Sequence, residues 1–240
     1  ISIKESSGPP DHLFSAGQRV LTVGDGDLTF SLALSNWFWH LKESKEGKKK
    51  RSKVQAPIDI VVTSYDTLAE LDEMYKPCIQ HTIKCLGSNK CKLFTEIDAT
   101  TIAEEKVRSV LDPEKTGFDR VVWNFPHGGF PETDEHHHGP GFEWSEDFAT
   151  KHASIVRGFV FQAKELLRPG GLVIITNKSI EPFNLWNIPK MAMDAGFTRI
   201  LQEPFSLDKY PGFQNRRGAG KRAAKRFPCD DAKLYAFGFE

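Results

Sequence analysis

Apolar runs and helical patterns alternate along most of this chain. Short runs rich in β-branched residues predict buried strands, and apolar residues between them recur at the spacing of an amphipathic helix. The predicted strands are, in chain order, 19–23, 58–63, 93–97, 118–125, 172–176, 197–205 and 233–239. Strands that alternate with helices form a largely parallel sheet. The pattern therefore predicts an α/β fold with one seven-stranded, mostly parallel sheet and helices on both faces.

The remaining patterns predict one domain with two insertions. Residues 18–240 carry the strands and helices, whereas residues 1–17 have few periodic apolar positions and are expected to form a tail. Polar stretches near 42–56 and 127–143 are expected to be inserted loops. Because the first residue is Ile1 rather than methionine, the chain is expected to be a fragment of a longer protein.

Composition narrows the functional classes. The 32 basic and 32 acidic residues cancel, which argues against a globally basic nucleic-acid binder, but basic residues cluster at 45–53 and 216–226 and can contact phosphates locally. The chain contains no run of about 18 apolar residues, so no membrane span is expected. The four cysteines form no CxxC pair, and the consecutive histidines 136–138 do not suit one ion, so no metal is expected.

A glycine-containing bend follows the first predicted strand, in the sequence Gly24-Asp25-Gly26-Asp27. Such bends bind cofactors at the carboxyl ends of strands in α/β sheets. The dinucleotide fingerprint would need glycine where Thr29 stands, and carboxylates at 25 and 27 would repel a pyrophosphate. S-adenosylmethionine carries two cationic groups and no phosphate. The bend therefore predicts S-adenosylmethionine rather than NAD.

Two further acids follow predicted strands. Asp66 comes after the second strand, where it is expected to accept hydrogen bonds from ribose hydroxyls, and Asp98 after the third, where it is expected to accept one from the adenine amine. Either acid alone is also an ordinary helix cap or turn residue. Their joint placement with the glycine bend favours a nucleoside site.

The fourth strand ends in Asn124-Phe125-Pro126-His127, which resembles the NPPY-type motif of amino-methylating class I methyltransferases. In that motif the Asn carbonyl accepts a hydrogen bond from the target nitrogen, and an aromatic side chain stacks on the substrate. Here Phe125 replaces the first proline and His127 the last aromatic, which leaves the target atom open. His127 is the nearest candidate base in the sequence. The alternative is an ordinary Asn-Pro turn at a strand end.

Several motifs together resemble the Rossmann-like domain of the eukaryotic 25S rRNA uridine-N3 methyltransferases. They occur in one order over about residues 19–240: Gly24-Asp25-Gly26-Asp27, Thr63-Ser64-Tyr65-Asp66, Asn124-Phe125-Pro126-His127, Arg168-Pro169-Gly170-Gly171, and Tyr210-Pro211-Gly212-Phe213 followed by Arg216-Arg217. The resemblance implies a class I methyltransferase fold, S-adenosylmethionine as cofactor and N3 of a large-subunit rRNA uridine as acceptor. It also implies action in the nucleolus on rRNA or the pre-ribosome, and a monomer is expected.

The same resemblance suggests which residues contact RNA. Lys178, Arg216 and Arg217 lie in matched segments and are predicted to contact phosphates or uracil carbonyls. Phe125 is predicted to stack on an unpaired or flipped uracil. Two alternatives stay open: methylation of another base nitrogen or a protein amide, and a non-catalytic RNA-binding assembly factor with the same fold.

Overall fold

A computed structural model describes residues 8–10, 12–46, 59–128, 146–218 and 222–239. The strands within these ranges are β1 (Arg19–Thr22), β2 (Asp59–Thr63), β3 (Lys92–Phe94), β4 (Phe118–Asn124), β5 (Leu167–Lys178), β6 (Arg199–Pro204) and β7 (Ala232–Gly238). They form one sheet in the order β3-β2-β1-β4-β5-β7-β6. Strand β7 runs antiparallel to both its neighbours, and the pairs among β1–β5 are parallel. The predicted seven-stranded, mostly parallel sheet is confirmed.

Helices pack on both faces of the sheet, as predicted. They are α1 (Thr29–Glu46), α2 (Leu68–Tyr75), α3 (Cys78–Ser88), α4 (Glu105–Leu111), α5 (Glu146–Lys164) and α6 (Ile188–Asp194). Buried residues of α1, α2 and α3 share one core with one face of the sheet, and those of α4, α5 and α6 share a second core with the other. Within the described ranges, no helix is long and apolar enough to cross a membrane.

Several element boundaries differ from the predicted ones. Helix α1 continues to Glu46, so the predicted insertion at 42–56 begins as helix; its remainder, and most of the predicted loop 127–143, lie outside the described residues. The tract before Leu172 was expected only to end a helix, but β5 already begins at Leu167. A Cβ on Gly171 would lie 2.8 Å from the Phe118 carbonyl oxygen. Glycine therefore lets this tract join the sheet.

The described part of the predicted tail is packed into the protein. Leu13 and Phe14 are almost fully buried, with 0% and 1% exposure, and belong to the core that contains α1. The Nε of Arg120 on β4 donates a hydrogen bond to the Leu13 carbonyl. Two apolar residues in a polar segment give no periodic signal, so only the packing reveals this contribution to the core.

Candidate active site

The predicted site residues gather where the carboxyl ends of the central strands meet. Strand β1 lies between β2 and β4, with Thr22 in register with Val62 and Val122. The glycine bend follows β1, Asp66 follows β2 and Asn124 ends β4. Ligands bind at this edge of open α/β sheets. The sheet order therefore places the glycine bend between the predicted ribose acceptor and the predicted catalytic turn.

The glycine bend is tightly packed at its first glycine. Gly24 has φ +56°, and a Cβ there would lie 2.7 Å from the indole nitrogen of Trp123. The next residue, Asp25, donates its backbone N–H to the carbonyl of Thr63 at 3.0 Å. Backbone conformation and close approach both require glycine at position 24. The bend is therefore a fixed part of the sheet edge.

The two carboxylates of the bend bind the start of helix α1. Asp25 Oδ2 accepts hydrogen bonds from the Ser31 N–H at 2.8 Å and hydroxyl at 2.5 Å. Asp27 Oδ1 accepts from the Thr29 N–H at 3.0 Å and hydroxyl at 2.6 Å. Each acid therefore satisfies orphan donors of the helix.

Asp25 has an unusual protonation equilibrium. Desolvation, followed by repulsion from Asp27, raises its pKa to about 7, although hydrogen bonds from Ser31 oppose the rise. A carboxyl whose pKa is higher in the folded than in the unfolded chain favours folding most at low pH. This stabilisation is lost as the pH rises toward 7.

We therefore expect Asp25→Asn to stabilise the protein at high pH. The amide keeps an oxygen that can accept the bonds from Ser31, but it carries no charge to desolvate. Relative to the wild type, the variant should have a higher melting temperature at pH 8, and the difference should shrink toward pH 5. Thermal denaturation across this range measures the effect. A difference that is constant with pH would contradict the assigned pKa.

Tyr75, which the helical pattern assigned only to the core, lies beside the glycine bend. It is 1% exposed, its hydroxyl has no hydrogen-bond partner, and a Cβ on Gly26 would lie 3.0 Å from that hydroxyl. Burial and the charges of Asp27, Asp66 and Asp25 raise the pKa of the phenol. It therefore stays protonated at neutral pH. Its position follows from tertiary packing and has no local sequence signal.

The segment that follows Phe213 covers the glycine bend. Gln214 donates its N–H to the Thr29 hydroxyl at 3.0 Å, and Gly218 Cα would lie 3.6 Å from a Cβ on Gly26. Arg216 Nε lies 3.3 Å from Asp27 Oδ2, and its guanidinium is 5.8 Å from the centroid of the Tyr75 ring. The structure thus places Arg216, predicted to contact RNA, in an ion pair with the bend itself.

The two acids predicted to hold the nucleoside differ in their surroundings. Asp66 is half-buried, and burial and the charge of Glu70 raise its pKa. Asp98 Oδ1 accepts from the Thr100 N–H at 2.8 Å and hydroxyl at 2.7 Å, which is a local turn. Strand β3 ends before Asp98, at Phe94, whereas the prediction extended it to residue 97. Asp98 is the more exposed of the two acids, but its Oδ1 is already occupied by the local turn.

These residues fit S-adenosylmethionine in charge. The buried Tyr75 hydroxyl lacks a hydrogen-bond partner and can interact with a ligand, whereas Asp27 Oδ2 forms the ion pair with Arg216. Three carboxylates, Asp25, Asp27 and Asp66, lie in this region, and their negative charge contributes to the raised pKa of Tyr75. Such a field favours a cationic ligand and opposes a phosphate. Within the residues that the structure describes, no cluster of three or more His, Cys, Asp or Glu is arranged to hold a metal ion.

The predicted catalytic turn is sharply bent. Asn124 is in register with Thr176 of β5, and Phe125 has φ +49°, a strained conformation for a bulky residue. The Phe125 N–H donates to the Thr176 carbonyl at 2.7 Å, which holds the bend, and Pro126 is buried. In the described parts of the chain no hydrogen bond to the Asn124 side-chain amide is found. That amide is therefore available to a ligand.

His127 and Phe125 point to different neighbours. The Phe125 ring packs edge-on against Phe205 and Phe227, with centroids 5.6 and 4.9 Å away. The exposed residue His127 has its ring 4.7 Å from that of His152. Desolvation around the ring, with His152 and the cation of Arg217, lowers the pKa of His127 well below its ordinary value. The predicted role of His127 as a base stays a prediction.

The fold and the site define a class. The strand order, the antiparallel β7 and the glycine bend at β1 are those of a Rossmann-like class I methyltransferase. The model of the family "rRNA (uridine-N3-)-methyltransferase BTM5-like" matches residues 21–217. The chain belongs to this BMT5-like family, and the predicted family resemblance is confirmed.

The chain is similar to several known proteins. The chain is 30% identical over 225 residues to an uncharacterized protein of Arabidopsis thaliana, covering 93% of this chain and 94% of that protein. It is 22% identical to the 25S rRNA (uridine(2634)-N(3))-methyltransferase of Saccharomyces cerevisiae, covering 93% and 73%. A TehB-like S-adenosylmethionine-dependent methyltransferase from Corynebacterium glutamicum has a similar structure at 12% identity and a TM-score of 0.47, covering 96% and 84%.

Proposed function

We propose that this protein uses S-adenosylmethionine to methylate N3 of a uridine in large-subunit rRNA. The observation that carries the proposal is the adjacency of two sites: an acidic glycine bend after β1 and an open Asn amide at the end of β4, on neighbouring strands. Membership of the BMT5-like family and the distant yeast relative support uridine as the substrate. We further propose that the protein acts as a monomer in the nucleolus.

The chain's own residues account for positioning. The bend 24–27 and Tyr75 would hold the amino-acid part of the donor, and Asp66 its ribose. When bound, S-adenosylmethionine supplies a methyl carbon activated by a sulfonium sulfur. The Asn124 carbonyl would accept a hydrogen bond from N3–H, and the buried Pro126 fixes the turn that presents it. Alignment of the acceptor with the methyl carbon then provides most of the catalysis.

Mass spectrometry of rRNA nucleosides from cells with and without the gene tests the proposal. We expect one 3-methyluridine to disappear from the large-subunit rRNA. Transfer of labelled methyl groups from S-adenosylmethionine to purified rRNA or protein separates the alternatives: label in protein or in another base nitrogen refutes the uridine assignment. A folded protein that transfers no label but still binds rRNA would instead be an assembly factor.

The two adjacent arginines should have separable effects on RNA binding. Arg217 is exposed on the basic segment, so Arg217→Ala should reduce the salt dependence of rRNA affinity by about one unit of slope. Arg216→Ala removes the ion pair to buried Asp27, so it should lower the melting temperature by about 5 °C and leave the slope nearly unchanged. Filter binding from low to high salt measures both slopes. Equal salt slopes for the two variants would show that exposure does not decide which of the two arginines contacts RNA.

A further inference from the structure

Lys178 is a cation at the carboxyl edge of the sheet, and no acidic residue within the described ranges forms an ion pair with it. It is the last residue of β5, two positions after Thr176, which pairs with Asn124. Its side chain is half-buried, with Nζ 5.2 Å from the centroid of the Phe183 ring and 5.5 Å from that of Phe227. Two aromatic rings therefore keep the ammonium half-buried, whereas a lysine that only contacts phosphates would be exposed.

The surrounding ionisable groups do not neutralise this charge. Cys229, Asp230 and Asp231 lie on the segment that enters β7, and Glu181 lies on the loop after β5. Within the described ranges, none of them approaches Lys178 Nζ within the 4 Å of an ion pair. Burial, followed by Asp230 and Asp231, raises the pKa of the Cys229 thiol, so it stays neutral near pH 7. Lys178 is thus available to a ligand.

Contacts between rings connect Lys178 to the catalytic turn. Phe227, one of the two rings beside its ammonium, packs edge-on against Phe125 at 4.9 Å, and Phe125 directly follows Asn124. The Phe227 carbonyl accepts a hydrogen bond from the buried side chain of Asn215 at 2.5 Å. Packed rings therefore connect the ammonium to the residue that follows Asn124, and Asn124 itself pairs with Thr176, two positions before Lys178 on β5.

The proposed acceptor needs a cation near it. N3 of uracil is an imide nitrogen between two carbonyl groups, and its electron pair becomes nucleophilic only when its proton leaves. The resulting negative charge spreads onto O2 and O4. Asn124, the proposed contact of this acceptor, has no basic group that could take this proton. A fixed positive charge beside a carbonyl oxygen can replace a base, because it stabilises the anion directly.

We propose that Lys178 is a catalytic residue that donates a hydrogen bond to O2 or O4 of the target uracil and stabilises its N3 anion. N3 gives its proton to solvent water, and the electron pair left on N3 forms the bond to the methyl carbon of the donor. The bond between that carbon and sulfur breaks, and its electron pair stays on sulfur. The products are 3-methyluridine, S-adenosylhomocysteine and one proton. This inference rests on the proposed function, and it explains why an imide would be methylated without a general base.

The test compares Lys178→Met and Lys178→Arg with the wild-type protein on two RNAs. Large-subunit rRNA is transcribed with ordinary uridine or with 5-fluorouridine, whose N3–H is more acidic. Single-turnover rates are measured from pH 6 to pH 9. With ordinary RNA at pH 7, Lys178→Met should be about a hundredfold slower, and its rate should keep rising with pH where the wild-type rate has levelled. With the fluorinated RNA, the rate of Lys178→Met should rise about tenfold, and the rate of the wild type should change little.

Matched variants separate this role from phosphate binding and from misfolding. Lys225→Met removes an exposed lysine of the basic segment. It should lower the RNA affinity and the slope of that affinity against salt, without changing the pH dependence of the rate. Lys178→Arg keeps the charge and should keep the wild-type profile, which also controls for folding. An equal loss on both RNAs, or a reduced salt slope in Lys178→Met, overturns the inference. Wild-type protein that forms no 3-methyluridine on either RNA overturns the proposed function itself, and the inference with it.

Discussion

Asn124→Ala should slow methyl transfer about a hundred- to thousandfold and leave donor and rRNA affinities within a few fold of wild type. No hydrogen bond to the Asn124 side-chain amide is found in the described residues, and Asn124 ends β4 beside the proposed donor site, so its loss removes the group that we propose orients N3–H. The backbone of the turn should survive, because the Phe125 N–H to Thr176 carbonyl bond does not involve the Asn124 side chain. Single-turnover kinetics at saturating rRNA and donor measure the effect.

Asn184→Ala is a suitable control for this substitution. Asn184 is exposed, and its backbone N–H, which alanine retains, donates to Ile180. We expect a rate within twofold of wild type, that is, a difference below about 0.5 kcal/mol in the barrier. If Asn124→Ala also reacts at nearly the wild-type rate, the turn is structural and the acceptor is oriented elsewhere.

Gly26→Arg should weaken binding of S-adenosylmethionine at least about a hundredfold, or about 2.7 kcal/mol. A Cβ at this position would lie 3.0 Å from the hydroxyl of the buried residue Tyr75 and 3.6 Å from Gly218 Cα. A longer side chain must therefore enter the space beside the bend or displace the covering segment. Its guanidinium would also pair with the acids there and compete with a cationic donor. Calorimetric titration with S-adenosylmethionine measures the loss.

The matched control is Gly87→Arg. Gly87 is an exposed residue of α3, and a Cβ there would contact nothing within 4 Å. This variant should bind the donor as tightly as the wild type and have a similar melting temperature. If Gly26→Arg melts like the wild type and binds the donor with unchanged affinity, the cofactor binds elsewhere.

The fold was largely predictable because its signals are local. Apolar runs such as 172–176 and the helical spacing through 145–167 specify each element without reference to distant residues. The predicted start of the fifth strand at 172 was late, because Leu167 already pairs with Phe118 and Gly171 allows the two strands to approach closely. Leu13 and Phe14 also became core residues only through packing that no short window contains.

The candidate site was predictable only where a motif carries it. Residues 24–27, Asp66 and Asn124 stood out because glycine, acid and Asn-aromatic-Pro patterns follow strands, and the sheet order brings them together. The partners of those residues had no such pattern. Arg216 was expected on RNA, but the chain folds back so that it pairs with Asp27.

Contiguous residues specify the class of fold, the family and the strand ends where the candidate site lies, because periodicity and motifs are local properties of the chain. Packing between distant segments determines which side chains remain available there. It buries the Tyr75 hydroxyl without a hydrogen-bond partner, directs the Asp25 carboxylate to Ser31, and places the Lys178 ammonium beside two aromatic rings. Hydrogen bonding and charge depend on neighbours distant in the chain, and only folding brings those neighbours together.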